Sequence, residues 1–216
     1  MDYENYYVHS RKHVQKEKAV KKAIAFFDFD GTITTKDTLL EFIRFSKGHF
    51  KFLLGFLLNS PYLLAYQLKI ISNQAAKEKI LQFFFRNMPV EKFKEQCQLF
   101  SQKMLPKLIR PKAIDEIKKL QNEGYEVVIV SASPEQWIQQ WAKERQVYLI
   151  ASCLEIIDGK VSGKLVGKNC HGDEKVRRIL EKHTLSDYEV VYAYGDTKGD
   201  LPMLELATTK FYKPFR

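Results

Sequence analysis

The chain has 216 residues, 45% of them hydrophobic and 28% charged, the balance of a folded protein with a real core. Disorder throughout and collagen are excluded, and three scattered cysteines (Cys97, Cys153, Cys170) are too few for a disulfide framework and suit a reducing compartment. The net charge of +9 is concentrated: residues 36–110 hold 13 basic and 5 acidic residues and 12 of the 28 aromatics, residues 1–22 hold 6 basic and 3 acidic, and residues 111–216 hold 16 of each.

Residues 1–22 are charged and tyrosine-rich without a clear period, so a basic, frayed or partly helical leader is expected. They lack the apolar stretch of a secretory signal, and the expected compartment is the cytoplasm. Ala23 to Phe29 reads as a short buried parallel strand ended by the Gly31-Thr32 turn. From Asp37 to about Ile109 the pattern is helical: LLEFIRFSK stops at Gly48, AAKEKILQFFFRN stops before Pro89, and VEKFKEQCQLFSQKML follows.

Between the first two of these helices, Phe52–Leu68 is a run of 17 uncharged residues, short of the roughly 20 needed to cross a bilayer. Asn59, Ser60 and Pro61 sit at its centre, which predicts a broken helix, a hairpin either packed in the insertion's own core or dipping into a membrane surface.

Helix AIDEIKKLQNEG then feeds strand Tyr125–Val130, and Pro134 opens the helix PEQWIQQWAKERQ. Asp158-Gly159 is a hairpin signal. Helix DEKVRRILEKH precedes a last buried strand, Tyr188–Tyr194. Strands alternating with helices predict an α/β fold with a doubly wound parallel sheet. Residues 23–35 and 111–216 would form that core, and residues 36–110 an all-helical insertion.

Four pieces with chemistry fall just past expected strand ends, where open α/β sheets place ligands. In Asp28-Phe29-Asp30-Gly31-Thr32 two nearby carboxylates repel and call for a cation, which Mg²⁺ fits. Ser131 follows the strand VVIV and suits either a phosphoryl oxygen or a helix N-cap. Lys175 lies near a helix N-terminus, where the helix dipole makes it want an anion. Asp196 and Asp200 flank a strand-to-helix turn in GDTKGDLPML and can both face a metal.

In combination these motifs, across about residues 23–206, resemble the haloacid dehalogenase (HAD) superfamily of phosphatases. The helical insertion resembles that superfamily's C1 cap, and GDTKGDLPML resembles its phosphoserine-phosphatase-like subclass IB. The resemblance implies a Rossmann-like HAD core and Mg²⁺-dependent hydrolysis through an aspartyl-phosphate. Asp28 would be the nucleophile and Asp30 the general acid/base, with Ser131 and Lys175 on the phosphoryl group. Mg²⁺ would be held by Asp28, Asp196 and the Asp30 backbone carbonyl, with Asp200 orienting its surroundings.

Asp37 matches the place where phosphoserine phosphatases carry a Glu for the substrate's amino group; its other reading is the N-cap of the following helix. Arg44 is the nearest and a poor match for the arginine that would hold a serine carboxylate. The basic, aromatic and apolar insertion, with the closing ELATTKFYKPFR, is closer in character to the group related to phosphatidylglycerophosphatase C. That resemblance implies a phospholipid monophosphate substrate and an anionic lipid surface as partner, at the inner face of the membrane. A soluble phosphomonoester, phosphoserine-like, is the alternative. Nucleic acid is not an expected partner, since no helix-turn-helix, zinc-finger or RNP-like motif accompanies the basic charge.

Overall fold

The computed structural model describes residues 22–216, so the leader expected over residues 1–22 lies outside the described residues apart from its last one. Strand β1 (Ala23–Phe27) is followed by a tight turn and by five helices: α1 (Thr38–Lys47), α2 (His49–Gln67), α3 (Asn73–Phe85), α4 (Val90–Lys103) and the short α5 (Leu105–Leu108). Helix α6 (Pro111–Asn122), β2 (Glu126–Pro134), α7 (Gln139–Glu144) and β3 (Tyr148–Ser152) come next. The chain ends with the hairpin β4 (Leu154–Ile157) and β5 (Lys160–Leu165), then α8 (Asp173–Lys182), β6 (Val190–Gly195), α9 (Leu201–Leu204) and β7 (Thr209–Tyr212).

The main sheet has the order β3-β2-β1-β6-β7, all parallel. The strands step outward from β1 to β3 and then return to the other side of β1. The reversal opens a crevice at the carboxyl ends of β1 and β6, which is where ligands bind in such sheets. Each central strand is buried on both faces. Ala25, Phe27, Val127 and Ile129 join one apolar cluster, while Ile24, Phe26, Val128 and Val130 join the other, the two-residue period of a strand written into the core. Across strands, Phe27 stacks on Tyr194 (4.1 Å) and Tyr194 on Phe211 (4.5 Å).

The first cluster also holds the inner faces of α1, α3 and α4: Phe42 stacks on Trp137 at 4.6 Å and meets Phe85, Phe93 and Phe100. The hairpin turns through Asp158 (φ 48°) and Gly159 (φ 70°), both in the left-handed region that such a two-residue turn needs. It continues the helical layer, because Val161 exchanges backbone hydrogen bonds with Asn87 and Met88 (2.9 Å each). At Gly163 (φ 81°) a Cβ would lie 2.5 Å from the Gln82 backbone, so only glycine lets β5 pack this close to α3.

Three local expectations are corrected. Phe52–Leu68 is not a hairpin: α2 runs through Pro61 unbroken. Proline removes the hydrogen bond to Leu57 O, and the Ser60 hydroxyl donates to that carbonyl instead at 2.7 Å. Strand β2 continues to Pro134, so the helix expected to open there begins only at Gln139 after a single 3-10 turn. The closing segment adds an edge strand, β7, which its short polar pattern does not announce.

Candidate active site

Asp28 stands directly after β1, its backbone N–H donating to Tyr194 O at 2.9 Å, so two neighbouring strands fix its position. Asp196 directly follows β6, and Asp200 lies one turn further on. Lys175, in the first turn of α8, is 1% exposed and reaches all three of its acceptors. They are Asp28 Oδ1 (2.6 Å), Asp200 Oδ1 (2.7 Å) and Val130 O at the carboxyl half of β2 (2.8 Å). Burial opposes the lysine's charge, but the two carboxylates outweigh it and its pKa is raised. The cation is the fixed member of the group.

Burial pushes the Asp28 carboxyl up to about 7; Lys175 pulls it down, and the charges of Asp200 and Asp30 push it up again. One ammonium therefore does not neutralise this site. Asp200 is held below its ordinary range despite burial, because Lys175 and Thr197 bind its ionised form. Its Oδ2 accepts from the Thr197 N–H (2.9 Å), the Thr197 hydroxyl (2.8 Å) and the Asp196 N–H (3.2 Å). That capping box fixes the loop after β6.

Carboxylate oxygens of Asp28, Asp196 and Asp200 lie within 4.8 Å of one another. The turn through Gly31 (φ 83°) presses against this group; a Cβ there would sit 2.5 Å from Asp196 Oδ2. The donor set is all oxygen, packed and short of positive charge, and it fits a hard divalent cation such as Mg²⁺. Thr32 donates to Asp196 Oδ1 (3.2 Å), and the Arg216 guanidinium pairs with Asp196 Oδ2.

Asp30 faces the other side. Its Oδ1 accepts from the Thr38 N–H at the start of α1 (2.7 Å) and its Oδ2 from the Ser131 hydroxyl (3.3 Å). Ser131 is fully buried, and its oxygen also accepts from the Ser133 N–H (3.0 Å). The six expected residues Asp28, Asp30, Ser131, Lys175, Asp196 and Asp200 thus converge at the ends of β1, β2 and β6.

Asp37 is the N-cap of α1, accepting from the Leu40 N–H at 3.1 Å, and it also lines the cleft over the carboxylates, a space of about 660 Å³. Burial and the nearby Asp30 push it up to about 6. Arg44 takes no part: it pairs with Glu41 at 2.6 Å and covers the Phe52 ring.

Several cleft residues lie outside the set expected from the sequence, Arg216 and Lys77 among them. Lys77 on α3 donates to Ala132 O (3.0 Å) and Asn169 Oδ1 (3.2 Å) and lines the cleft opposite Asp37. Burial lowers its pKa, and Asp37 and Asp30 oppose the fall. The signal is a lysine on the apolar stripe of α3, three and seven residues before the buried Ile80 and Phe84.

Residues 25–205 match the model of the haloacid dehalogenase-like hydrolases, and the chain belongs to that family. Protein CicA of Caulobacter vibrioides is 33% identical over 196 residues, which cover 88% of this chain and 85% of that one. A Mycobacterium tuberculosis protein named as a probable phosphatase is 30% identical over 197 residues, 85% of this chain and 66% of that one. A solved phosphoserine phosphatase, titled as a phospho-aspartyl intermediate analogue, superposes with a TM-score of 0.65 over 88% of this chain and 85% of that one at 21% identity. Family and relatives together make the chain a phosphoric monoester hydrolase with a phosphoserine-phosphatase-like fold.

Proposed function

We propose that the protein hydrolyses a phosphomonoester with Mg²⁺ through a phosphoryl group carried transiently on Asp28. The carrying observation is the buried cluster in which Lys175 bridges Asp28 and Asp200 with Asp196 alongside: a carboxylate nucleophile held by a fixed cation among further acids at a sheet crevice. An Asp28 oxygen forms the bond to phosphorus as the ester P–O bond breaks, and Asp30 gives its proton to the leaving oxygen. Asp30 then takes a proton from water, which attacks the same phosphorus and returns Asp28 as a carboxylate. Ser131 and Lys175 orient the phosphoryl oxygens. Asp28, Asp196 and the Asp30 backbone carbonyl would hold Mg²⁺, with Asp200 behind them. The ion would supply the positive charge that the carboxylates lack.

Helices α1–α4 act in this reading as the cap that selects the substrate. A phospholipid monophosphate such as phosphatidylglycerophosphate is supported by the cations of the cleft, which include Lys36, Lys77 and Lys198, and by Tyr66 at the end of apolar α2. The second reading is a phosphoserine-like metabolite, favoured by Asp37 and Lys77 on the same cleft: one could receive an amino group, the other a carboxylate. Phosphate release from p-nitrophenyl phosphate tests the chemistry. Asp28→Asn should lose all but a few per cent of turnover, and dialysis against EDTA should stop it until Mg²⁺ is returned. Activity surviving either treatment refutes the mechanism. Parallel assays on phosphoserine and on a lipid phosphate in mixed micelles separate the two substrates.

A further inference from the structure

Helix α2 is apolar on two opposite faces. Phe52, Gly55 and Asn59 form its buried stripe against the rest of the protein. On the other side Phe50, Leu53, Leu57, Leu64 and Leu68 recur at helical spacing, and they are 77, 53, 69, 55 and 63% exposed. Ile70, just beyond, is 72% exposed. The outer face of an ordinary surface helix carries charges; here none lies between Lys51 and Lys69. A helix apolar all round belongs in a core or against lipid, and this one has no protein over its outer face among the described residues.

Charge decides what covers it. Between Glu41 and Glu78 the chain has no acidic residue, but it has Arg44, Lys47, Lys51, Lys69 and Lys77. Lys47 is turned inward, its ammonium 4.8 Å from the centre of the Phe85 ring, and burial, then the cations Lys92 and Lys51, push it down to about 8. Lys51 and Lys69 bracket the stripe at its two ends. At 19 residues the helix is about 28 Å long, and no described helix is long and apolar enough to cross a membrane. It would therefore lie in the plane of an interface.

We propose that the outer face of α2 docks the protein on an anionic phospholipid bilayer, with the leucine stripe in the headgroup boundary and the exposed Lys51 and Lys69 at its two ends against the lipid phosphates. Tyr66, seven residues beyond Asn59 and on the same inward side of α2, lines the cleft, so the docking face and the cleft lie on different sides of the helix. The inference is independent of the catalytic reading, because binding needs no turnover.

Flotation of the full chain with phosphatidylcholine vesicles, with and without phosphatidylglycerol, tests it. Co-flotation with the anionic vesicles is expected, falling as salt is raised. Leu53→Asp/Leu57→Asp should weaken partition by more than about tenfold, and Lys51→Glu/Lys69→Glu should remove the preference for anionic lipid. Both variants alter exposed positions, and far-UV circular dichroism with a wild-type melting curve establishes that each is folded. Three results overturn the proposal: a chain that stays at the bottom with every anionic vesicle, a folded leucine variant that floats like wild type, or a lipid-free dimer in light scattering that the leucine variant takes apart.

Discussion

Replacing Lys175 by methionine separates the structural from the chemical work of the buried charge cluster. The side chain is nearly isosteric, so the packing change is small and the lost terms are electrostatic. Three acceptors lose their donor: Asp28 Oδ1, Asp200 Oδ1 and Val130 O. Two carboxylates, 6% and 2% exposed, are left facing each other without the cation between them. Breaking a buried pair in this way costs about 3–5 kcal/mol, and in urea that should move the unfolding midpoint down by about 1–2 M. Adding Asp200→Asn removes one of the stranded charges while its amide oxygen can still accept from Thr197. Lys175→Met/Asp200→Asn should therefore recover about 1–3 kcal/mol relative to Lys175→Met. It should recover no turnover, because neither the cation nor the set of acids is restored. Urea unfolding in EDTA, followed by circular dichroism, reads the stability, and phosphate release reads the function. A single variant within about 0.5 kcal/mol of wild type, or a double variant no more stable than the single, would show that the cluster is not held together as described.

Two further outcomes follow from local geometry. Gly31→Ala places a methyl 2.5 Å from Asp196 Oδ2 in a backbone with φ 83°; a stability loss of about 1–3 kcal/mol and a higher Mg²⁺ concentration for half-maximal turnover are expected, read by urea unfolding and a metal titration. At Glu174, hydrogen bonds from Arg177, then from Arg178, hold the carboxyl down to about 2 against an ordinary 4.5, so the unfolded chain binds the extra proton between these values. Its stabilisation is complete above pH 4.5 and fades as pH falls toward 2; unfolding curves of Glu174→Gln should show a shallower loss of stability over that window.

Asp28, Ser131 and Asp196 were legible because each stands where the apolar run of a strand breaks off in the sequence. AIAFF gives way to Asp28, VVIV to Ser131 and VVYAY to Gly195-Asp196, and burial on both faces makes these runs continuously apolar. Asp37 was legible only as a double reading, and the structure keeps both: it caps α1 and lines the cleft. Lys77 was not legible, since its neighbours across the cleft, Ala132 and Asn169, are 55 and 92 residues away. The path of α2 was misread for a local reason: the sequence announces the hydrogen bond that Pro61 removes, but not the Ser60 hydroxyl that takes its place. Strand β7 gains its ladder from β6 and its stacking from Tyr194, neither of which is written in Thr209–Tyr212.

The way the helices are fastened bears on how substrate is chosen. Thr38 starts α1 with its N–H on Asp30, while its hydroxyl donates to Ser133 (3.1 Å) and accepts from the Trp137 indole N–H (3.1 Å). Phe42, one turn along α1, stacks on that same indole. Swinging α1 away from the sheet would therefore break a buried hydrogen-bond chain, strip the proposed acid/base of its backbone donor and open an aromatic cluster all at once. Helix α3 is tied at its first turns, through Gln74 and Lys77 to Gly167, Asn169 and Ala132. The cleft between these two anchors is lined by both Lys77 and Asp37. Burial lowers the pKa of Lys77, and burial and Asp30 raise that of Asp37. A ligand bringing both a cationic and an anionic group would find an opposite charge for each on this lining.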